Sequence, residues 1–104
     1  MDKQKVIIYQ GRTSPFSPTC IEIMDYFLSY PDLYHTAMTV SLYLEKSSDS
    51  VKNCMNLLLK NSYLTKKLDS GHVYFITKEN MEFWATDFKN HILNQHEIEK
   101  AKFS

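Results

Sequence analysis

The sequence is poor in glycine and arginine, and each shortage excludes a class of site. Only Gly11 and Gly71 occur among 104 residues, so no glycine-rich loop is available to hold a nucleotide phosphate. Arg12 is the single arginine beside eleven lysines, which excludes a cluster of guanidinium groups for two-point anion recognition. No Ser/His/Asp or Cys/His grouping lies near a strand-to-helix turn. We therefore expect a protein that is not an enzyme.

Cysteine is also scarce, and its spacing indicates neither a disulfide framework nor a zinc site. Cys20 and Cys54 are 34 positions apart, each within an apolar helical pattern. We predict two buried free thiols, with a redox switch as the alternative.

A metal site has weak support in the histidines. His91 and His96 are five positions apart, whereas side chains three or four apart share one face of a helix. His96 and Glu99 have that spacing, so a site from these three residues is the less favoured alternative to no metal and no cofactor. We predict that His35 is a loop residue.

Long apolar runs are absent as well. No stretch approaches the roughly 18 apolar residues of a membrane span, and the apolar run after Lys5 is too short for a signal peptide. We expect a cytoplasmic protein with a single domain, residues 1–104. Its parts would be an N-terminal strand and loop (1–16), a core (17–77) and a C-terminal helix (78–104).

The net charge is zero, but basic residues are concentrated in the middle of the chain. Residues 36–78 contain six lysines and three acidic residues, whereas the segments on either side are slightly acidic. A local basic excess gains meaning only where it coincides with a structural pattern that binds anions.

The first third of the chain predicts a strand and a helix. Lys5–Gln10 has the β-branched residues of a short strand. Ser17 followed by Pro18 is typical of a helix N-terminus. This helix should end near Ser29 or Tyr30, because proline at position 31 disfavours helix before it.

The middle of the chain predicts two helices joined by a short turn. The second helix would start at Thr36 or Thr39 and bury Val40, Tyr43 and Leu44. After the turn at residues 47–49, a third helix is predicted at about 49–60, capped by Asp49. Asn61 is the residue that we expect in a left-handed conformation after it.

A hairpin and a long helix complete the pattern. Strands are predicted at 63–68 and 72–77, with Gly71 in the turn between them. Thr77 would cap a helix at about 78–100. Its apolar stripe contains Met81, Trp84 or Ala85, Phe88, Ile92 and His96.

Residues 36–80 resemble the winged-helix domains of small bacterial regulators of the MarR-, PadR- and ArsR-like groups. The matching segments are a helix, a serine turn, a helix with a leucine pair, a wing and an aromatic-Ile-Thr before a final helix: "VSLYLEK", "SSD", "SVKNCMNLLLKN", "SYLTKKL", "DSG", "HVYFIT" and "KEN". Two features differ from these groups, because Asn61-Ser62 replaces the usual glycine after the third helix and the wing has no arginine.

The resemblance implies an α+β, mostly helical fold: a winged helix-turn-helix with a three-helix core, a hairpin wing, a short N-terminal strand and a long C-terminal helix. It also implies a sequence-specific transcriptional regulator whose third helix enters the major groove of double-stranded DNA. The residues implied for DNA contact are Ser50, Lys52, Asn53, Asn56 and Lys60 on the helix and Lys66, Lys67 and His72 on the wing.

Two alternatives to DNA binding stay open. One is a winged-helix module that binds a protein partner and no DNA, which zero net charge and a single arginine favour. The other is a small-molecule or metal sensor with modest DNA affinity, whose effector the sequence does not identify.

The last helix predicts a homodimer. At 1.5 Å per residue it would be about 35 Å long, more than the short core can cover. The alternative is a frayed tail, in which residues 97–104 are disordered and the rest of the helix folds back. A ligand pocket is a further alternative for its aromatic residues. The residues predicted for the dimer interface are Trp84, Phe88, Ile92, Leu93 and Ile98.

Overall fold

The computed structural model describes residues 14–68 and 71–103, with side chains up to residue 94. The predicted strand at 5–10 lies outside the described residues. Within them, the elements follow in the predicted order. They are α1 (Pro18–Ser29), α2 (Ala37–Leu44), α3 (Ser48–Lys60), β1 (Thr65–Leu68), β2 (His72–Phe75) and α4 (Lys78–Phe103).

Helix α1 begins and ends where its sequence predicts. Ser17 is the N-cap and its hydroxyl accepts a hydrogen bond from the Cys20 N–H at 3.4 Å, while Pro18 occupies the first turn. The helix ends at Ser29, before Pro31. Its inner face, which includes Ile23 and Phe27, is buried in the core.

Helix α2 starts from the Thr36 cap, one of the two predicted starts, but its buried face differs from the prediction. Val40 and Ser41 are buried, whereas Tyr43 is 59% exposed. The prediction for Tyr43 is therefore wrong. The small Ser41 side chain can lie at the inner face because its hydroxyl is satisfied locally by the Met38 carbonyl at 2.8 Å.

Helix α3 begins one residue earlier than predicted. Its N-cap is Ser47, whose hydroxyl accepts from the Ser50 N–H at 3.2 Å. Asp49, the predicted cap, lies inside the first turn, where its charge favours the positive end of the helix dipole.

The end of α3 also corrects a prediction. Asn61 has a φ of −94°, and Ser62 is the left-handed residue, with a φ of 68°. The Asn61 side-chain amide donates to the Leu57 carbonyl at 2.8 Å. The Tyr63 N–H reaches back to the Leu58 carbonyl at 2.9 Å, as in a Schellman motif. The left-handed position therefore falls one residue later than expected.

The two strands form an antiparallel hairpin whose ends at the turn are as predicted, but each strand is two residues shorter at the end away from the turn. Lys66 pairs with Tyr74, and Lys67 pairs with Val73. A third segment, which the sequence did not indicate, adds to this hairpin. His35 exchanges two backbone hydrogen bonds with Tyr74, at 2.8 and 2.7 Å. The loop before α2 is thereby attached to the wing.

Asn80 connects three parts of the fold through one buried amide. Its Oδ1 accepts from the Thr77 N–H at 2.9 Å and the Thr65 hydroxyl at 2.8 Å, and its Nδ2 donates to the Ser62 carbonyl at 2.8 Å. The Asn80 N–H donates to the Thr77 hydroxyl at 3.1 Å, so each residue caps the other. The end of α3, the first strand and the start of α4 are held together here.

The core lies between α1, α2, α3 and the first turns of α4. Among the helices of the described residues, none has the length and apolar character needed to cross a membrane. The fully buried side chains at the centre are Cys20, Ile23, Met24, Phe27, Val40, Val51, Met55 and Leu58.

Both cysteines are free thiols in the core region. Cys20 is fully buried, and Cys54 is partly buried against the same cluster. Burial, together with the neighbouring Cys20 thiol, raises the pKa of Cys54 to about 12. The reactive thiolate form of Cys54 is therefore scarce at neutral pH.

We expect thiol labelling of the native protein to be slow at pH 8. Labelling should accelerate by at least about tenfold in denaturant, because unfolding exposes the sulfurs and returns the thiol pKa towards its ordinary value of about 8.5. The measurement is the rate of reaction with a chromogenic disulfide reagent in buffer and in urea. Equal rates in the two conditions would support the redox-switch alternative.

Candidate nucleic-acid interface

A cleft of about 430 Å³ lies between α3 and the wing. It contains four of the eight residues predicted for DNA contact, two from each element. Its lining residues are Ala37, Ser48, Asp49, Lys52, Asn56, Lys66, His72 and Tyr74.

The α3 wall of the cleft follows from helical periodicity. Lys52 and Asn56 are four residues apart, so they lie one above the other on the same exposed face. Val51 and Met55, each one position earlier, are fully buried. Burial of that apolar face therefore presents the polar side chains to the cleft.

The wing wall follows from strand alternation. Side chains of paired residues lie on the same face of a hairpin, so Lys66 and Tyr74 face the cleft together. The Lys66 ammonium lies 5.9 Å from the centre of the Tyr74 ring. Lys67 lies on the opposite face, where its ammonium is 4.6 Å from the centre of the Tyr34 ring. The two adjacent lysines thus have different surroundings.

Tyr74 is a site residue that the sequence analysis did not single out. Its ring is buried, and burial raises its pKa. Its hydroxyl donates to the Asn56 Oδ1 at 3.4 Å. This long hydrogen bond joins the wing to α3. His72 and Tyr74 are two residues apart in a predicted strand, so they share the face of the wing that also carries Lys66. This spacing is the sequence signal that could have identified Tyr74.

The cleft carries a small positive charge. Lys52 and Lys66 contribute two ammonium groups, and Asp49 contributes one carboxylate in the first turn of α3. His72 is exposed at the rim. An anionic group is therefore favoured there over a cation of the same size.

The other predicted contact residues lie outside this cleft. Ser50, Asn53 and Lys60 are exposed on α3 but do not line it, and Lys67 belongs to the other face of the wing. The structure thus separates the predicted set into one group that shares a cleft and one that does not.

The residues predicted for the dimer interface divide in a similar way. Trp84 is buried, and its ring stacks on Phe88 at 5.2 Å. The Phe16 ring contacts both rings, with 5.4 Å between its centre and that of Trp84 and 6.1 Å between its centre and that of Phe88. This part of α4 therefore packs on its own chain. Ile92 and Leu93 are each 50% exposed. The side chain of Ile98 lies outside the described part.

A second contact holds the same part of α4. The Tyr63 hydroxyl donates to the Asp87 Oδ2 at 2.7 Å. Burial raises the pKa of Tyr63 above its ordinary value, and the Asp87 carboxylate raises it further. Helix α4 is therefore attached to the core as far as His91, whose ring also stacks on Phe16, and Ile92 and Leu93 follow this anchored part.

The side chains described up to residue 94 contain no group of three His, Cys, Asp or Glu residues that could hold a metal ion. His91 stacks on the Phe16 ring at 4.5 Å. His96 and Glu99, the other members of the alternative metal site, lie outside the described side chains.

No protein-family model matches the chain, and no curated protein matches it in sequence. Among solved structures, the chain is similar to the crystal structure of adhesin competence repressor (AdcR) from Streptococcus pyogenes. The TM-score is 0.54 and the sequence identity is 16%, over 99% of this chain and 79% of that chain. At this identity the likeness concerns the fold alone. Together with the helix order and the hairpin, it confirms the predicted winged helix-turn-helix fold.

Proposed function

We propose that this protein is a sequence-specific DNA-binding transcriptional regulator without enzymatic activity. The observation that supports this function is the cleft between α3 and the wing, where Lys52, Asn56, Lys66 and His72 come together from two elements. All four are among the residues that the winged-helix resemblance implies for DNA contact.

The same arrangement suggests how DNA would be bound. Helix α3 would lie in the major groove, where the Asn56 amide can pair with the N6 and N7 edge of adenine. A backbone phosphate would enter the cleft between Lys52 and Lys66. Phosphate contacts of this kind position the protein, and the base contact selects the sequence.

We propose that the functional unit is a homodimer. Helix α4 has 26 residues and is therefore about 39 Å long. Its half-exposed Ile92 and Leu93 follow the part that is anchored by Tyr63 and Phe16. A second copy related by a two-fold axis would bury the same apolar surface on both chains. Such a dimer would read two half-sites in inverted orientation.

A protein-interaction module is the competing function, and a specific observation favours it. Met38 is 67% exposed and Leu42 is 73% exposed, four residues apart on α2. Both are large apolar side chains on the helix that precedes α3. A protein that used this surface would have no need of the basic cleft.

The test of DNA binding is a titration against pooled genomic fragments at about 0.05 M and about 0.2 M salt, followed by sequencing of the bound fraction. We expect a minority of fragments to be enriched at both salt concentrations, with weaker binding at the higher one because phosphate contacts release counterions. Retention of no fragment at low salt would contradict the proposal and favour the protein-interaction module.

We expect Ile92→Ser/Leu93→Ser to convert a dimer into a monomer, because the change removes the exposed apolar groups of α4 while leaving its anchored part intact. Sedimentation equilibrium at about 10–50 μM is the measurement, a range in which an obligate homodimer stays assembled. Asn94→Ser is the matched control and should remain dimeric. A wild-type chain that sediments as a monomer would contradict the interface.

A further inference from the structure

A second groove, of about 380 Å³, shares no lining residue with the candidate DNA cleft. It runs between the outward face of α1 and the end of α2. Its walls carry three tyrosines, two carboxylates and a hydroxyl: Tyr26, Tyr30, Tyr43, Glu22, Asp25 and Ser29. We call this the tyrosine groove.

The three rings form one aromatic surface. The centres of the Tyr26 and Tyr43 rings are 4.5 Å apart, and Tyr30 lies 5.3 Å from Tyr26 and 6.1 Å from Tyr43. Tyr26 is held in place by a hydrogen bond between its hydroxyl and the His35 Nδ1 at 3.1 Å. Tyr30 and Tyr43 are exposed, so ring surface is open to the groove.

The charge around these rings is negative on balance, because two carboxylates line the groove and one of them is paired with an ammonium group. Glu22 forms an ion pair with the Lys46 ammonium at 3.3 Å. Asp25 is exposed and makes no ion pair within the part of the chain that the structure describes. Ser29 and Leu44, the last residues of α1 and α2, also line the groove. The C-termini of α1 and α2, each with a partial negative charge, therefore both lie at the groove.

We propose that the tyrosine groove binds a small organic cation of the quaternary ammonium class. The faces of tyrosine rings attract a cation through their quadrupole, and aromatic surfaces are a common means of recognising quaternary ammonium groups. Asp25 and the two helix ends add attraction for positive charge and disfavour an anion. The volume of the groove lies near the lower end of the range for small-molecule sites.

The proposal does not depend on DNA binding, so it can be tested on the protein alone. The probe is (3-hydroxyphenyl)trimethylammonium, and its uncharged counterpart of the same shape is 3-tert-butylphenol. Binding is followed by the shifts of backbone amide NMR signals from residues 22–30 and 43–46. We expect saturable shifts with the cation and at least about tenfold weaker binding of the neutral compound, because only the cation gains from the rings and carboxylates.

Two exposed substitutions locate the binding to this groove. Tyr43→Leu should weaken cation binding by about tenfold, and Asp25→Asn by about threefold. Tyr34→Leu is the matched control, because Tyr34 is an exposed tyrosine that contacts Phe75 and Lys67 on the wing and not this groove. Its affinity for the cation should equal that of the wild type.

Three results would overturn the proposal. The first is no saturable shift at probe concentrations up to about 10 mM, which is weaker than a specific site of this size should bind. The second is equal affinity for the cation and its neutral counterpart. The third is a loss of affinity in Tyr34→Leu as large as that in Tyr43→Leu.

Discussion

Lys66→Ala should weaken binding to every duplex sequence, whereas Lys67→Ala should have a much smaller effect. The two residues are adjacent and chemically identical, but Lys66 lines the cleft with Lys52 and Asn56, and Lys67 lies over Tyr34 on the opposite face. If a phosphate occupies the cleft, only the first of these lysines is placed to contact it. Each variant therefore serves as the control for the other.

The size of the effect follows from counterion release. Each phosphate contact contributes about 0.9 to the slope of log K against log salt. Because one phosphate is proposed to lie between the two lysines, Lys52→Ala/Lys66→Ala should reduce the slope by about one and the affinity by about fourfold near 0.2 M salt. Fluorescence anisotropy with one labelled duplex, repeated at several salt concentrations, gives both values. Equal losses in Lys66→Ala and Lys67→Ala would contradict the assignment of the cleft.

Asn80→Ala should be the most destabilising substitution of a polar residue among those described. The variant loses three side-chain hydrogen bonds, and it leaves the Ser62 carbonyl, the Thr65 hydroxyl and the Thr77 N–H without their partner. Unsatisfied groups of this kind cost about 1–3 kcal/mol each, and water can reach some of them, so we expect a loss of about 3 kcal/mol.

Urea denaturation followed by circular dichroism measures this loss as a decrease in the midpoint. Asn94→Ala is the control, because it makes the same change at an exposed position of the same helix. Its free energy of unfolding should change by less than about 0.5 kcal/mol. If Asn80→Ala unfolds at the wild-type urea concentration, the buried amide does not connect the wing to α4 in the way described.

Local signals in the sequence were sufficient for most of the fold. Ser17 with Pro18, Thr36 and Thr77 act on backbone groups within three residues, so helix starts could be predicted without knowledge of tertiary contacts. The start of α3 was predicted one residue late, with Asp49 as its cap, because serine and aspartate are both common N-cap residues. The choice between them depends on where the preceding turn ends.

Features that depend on distant residues could not be predicted in this way. The bridge between His35 and Tyr74 joins segments 39 positions apart, and no local pattern marks it. Tyr43 was expected to be buried because it fits an apolar helical spacing. Its exposure depends on how α2 is rotated against α1, which the packing of Val40 and Ser41 determines.

The candidate site was predicted in part for the same reason. Helical spacing places Lys52 and Asn56 on one face, and this could be read from the sequence alone. The face of the wing that each lysine occupies depends on the pairing register, so Lys66 and Lys67 could not be distinguished. The tyrosine groove was not predicted, because Tyr30 and Tyr43 meet only after α1 and α2 pack.

The pairing of Lys66 with Tyr74 has a consequence for the register of the two strands of the wing. If β1 slipped by one residue along β2, Lys67 would replace Lys66 in the cleft, and the charge there would not change. The charge of the cleft therefore does not distinguish the two registers. Thr65 distinguishes them, because its hydrogen bond to Asn80 at 2.8 Å forms only in the observed register. The buried Asn80 amide at the start of α4, outside the cleft, thus selects the register of the proposed DNA-contacting strand.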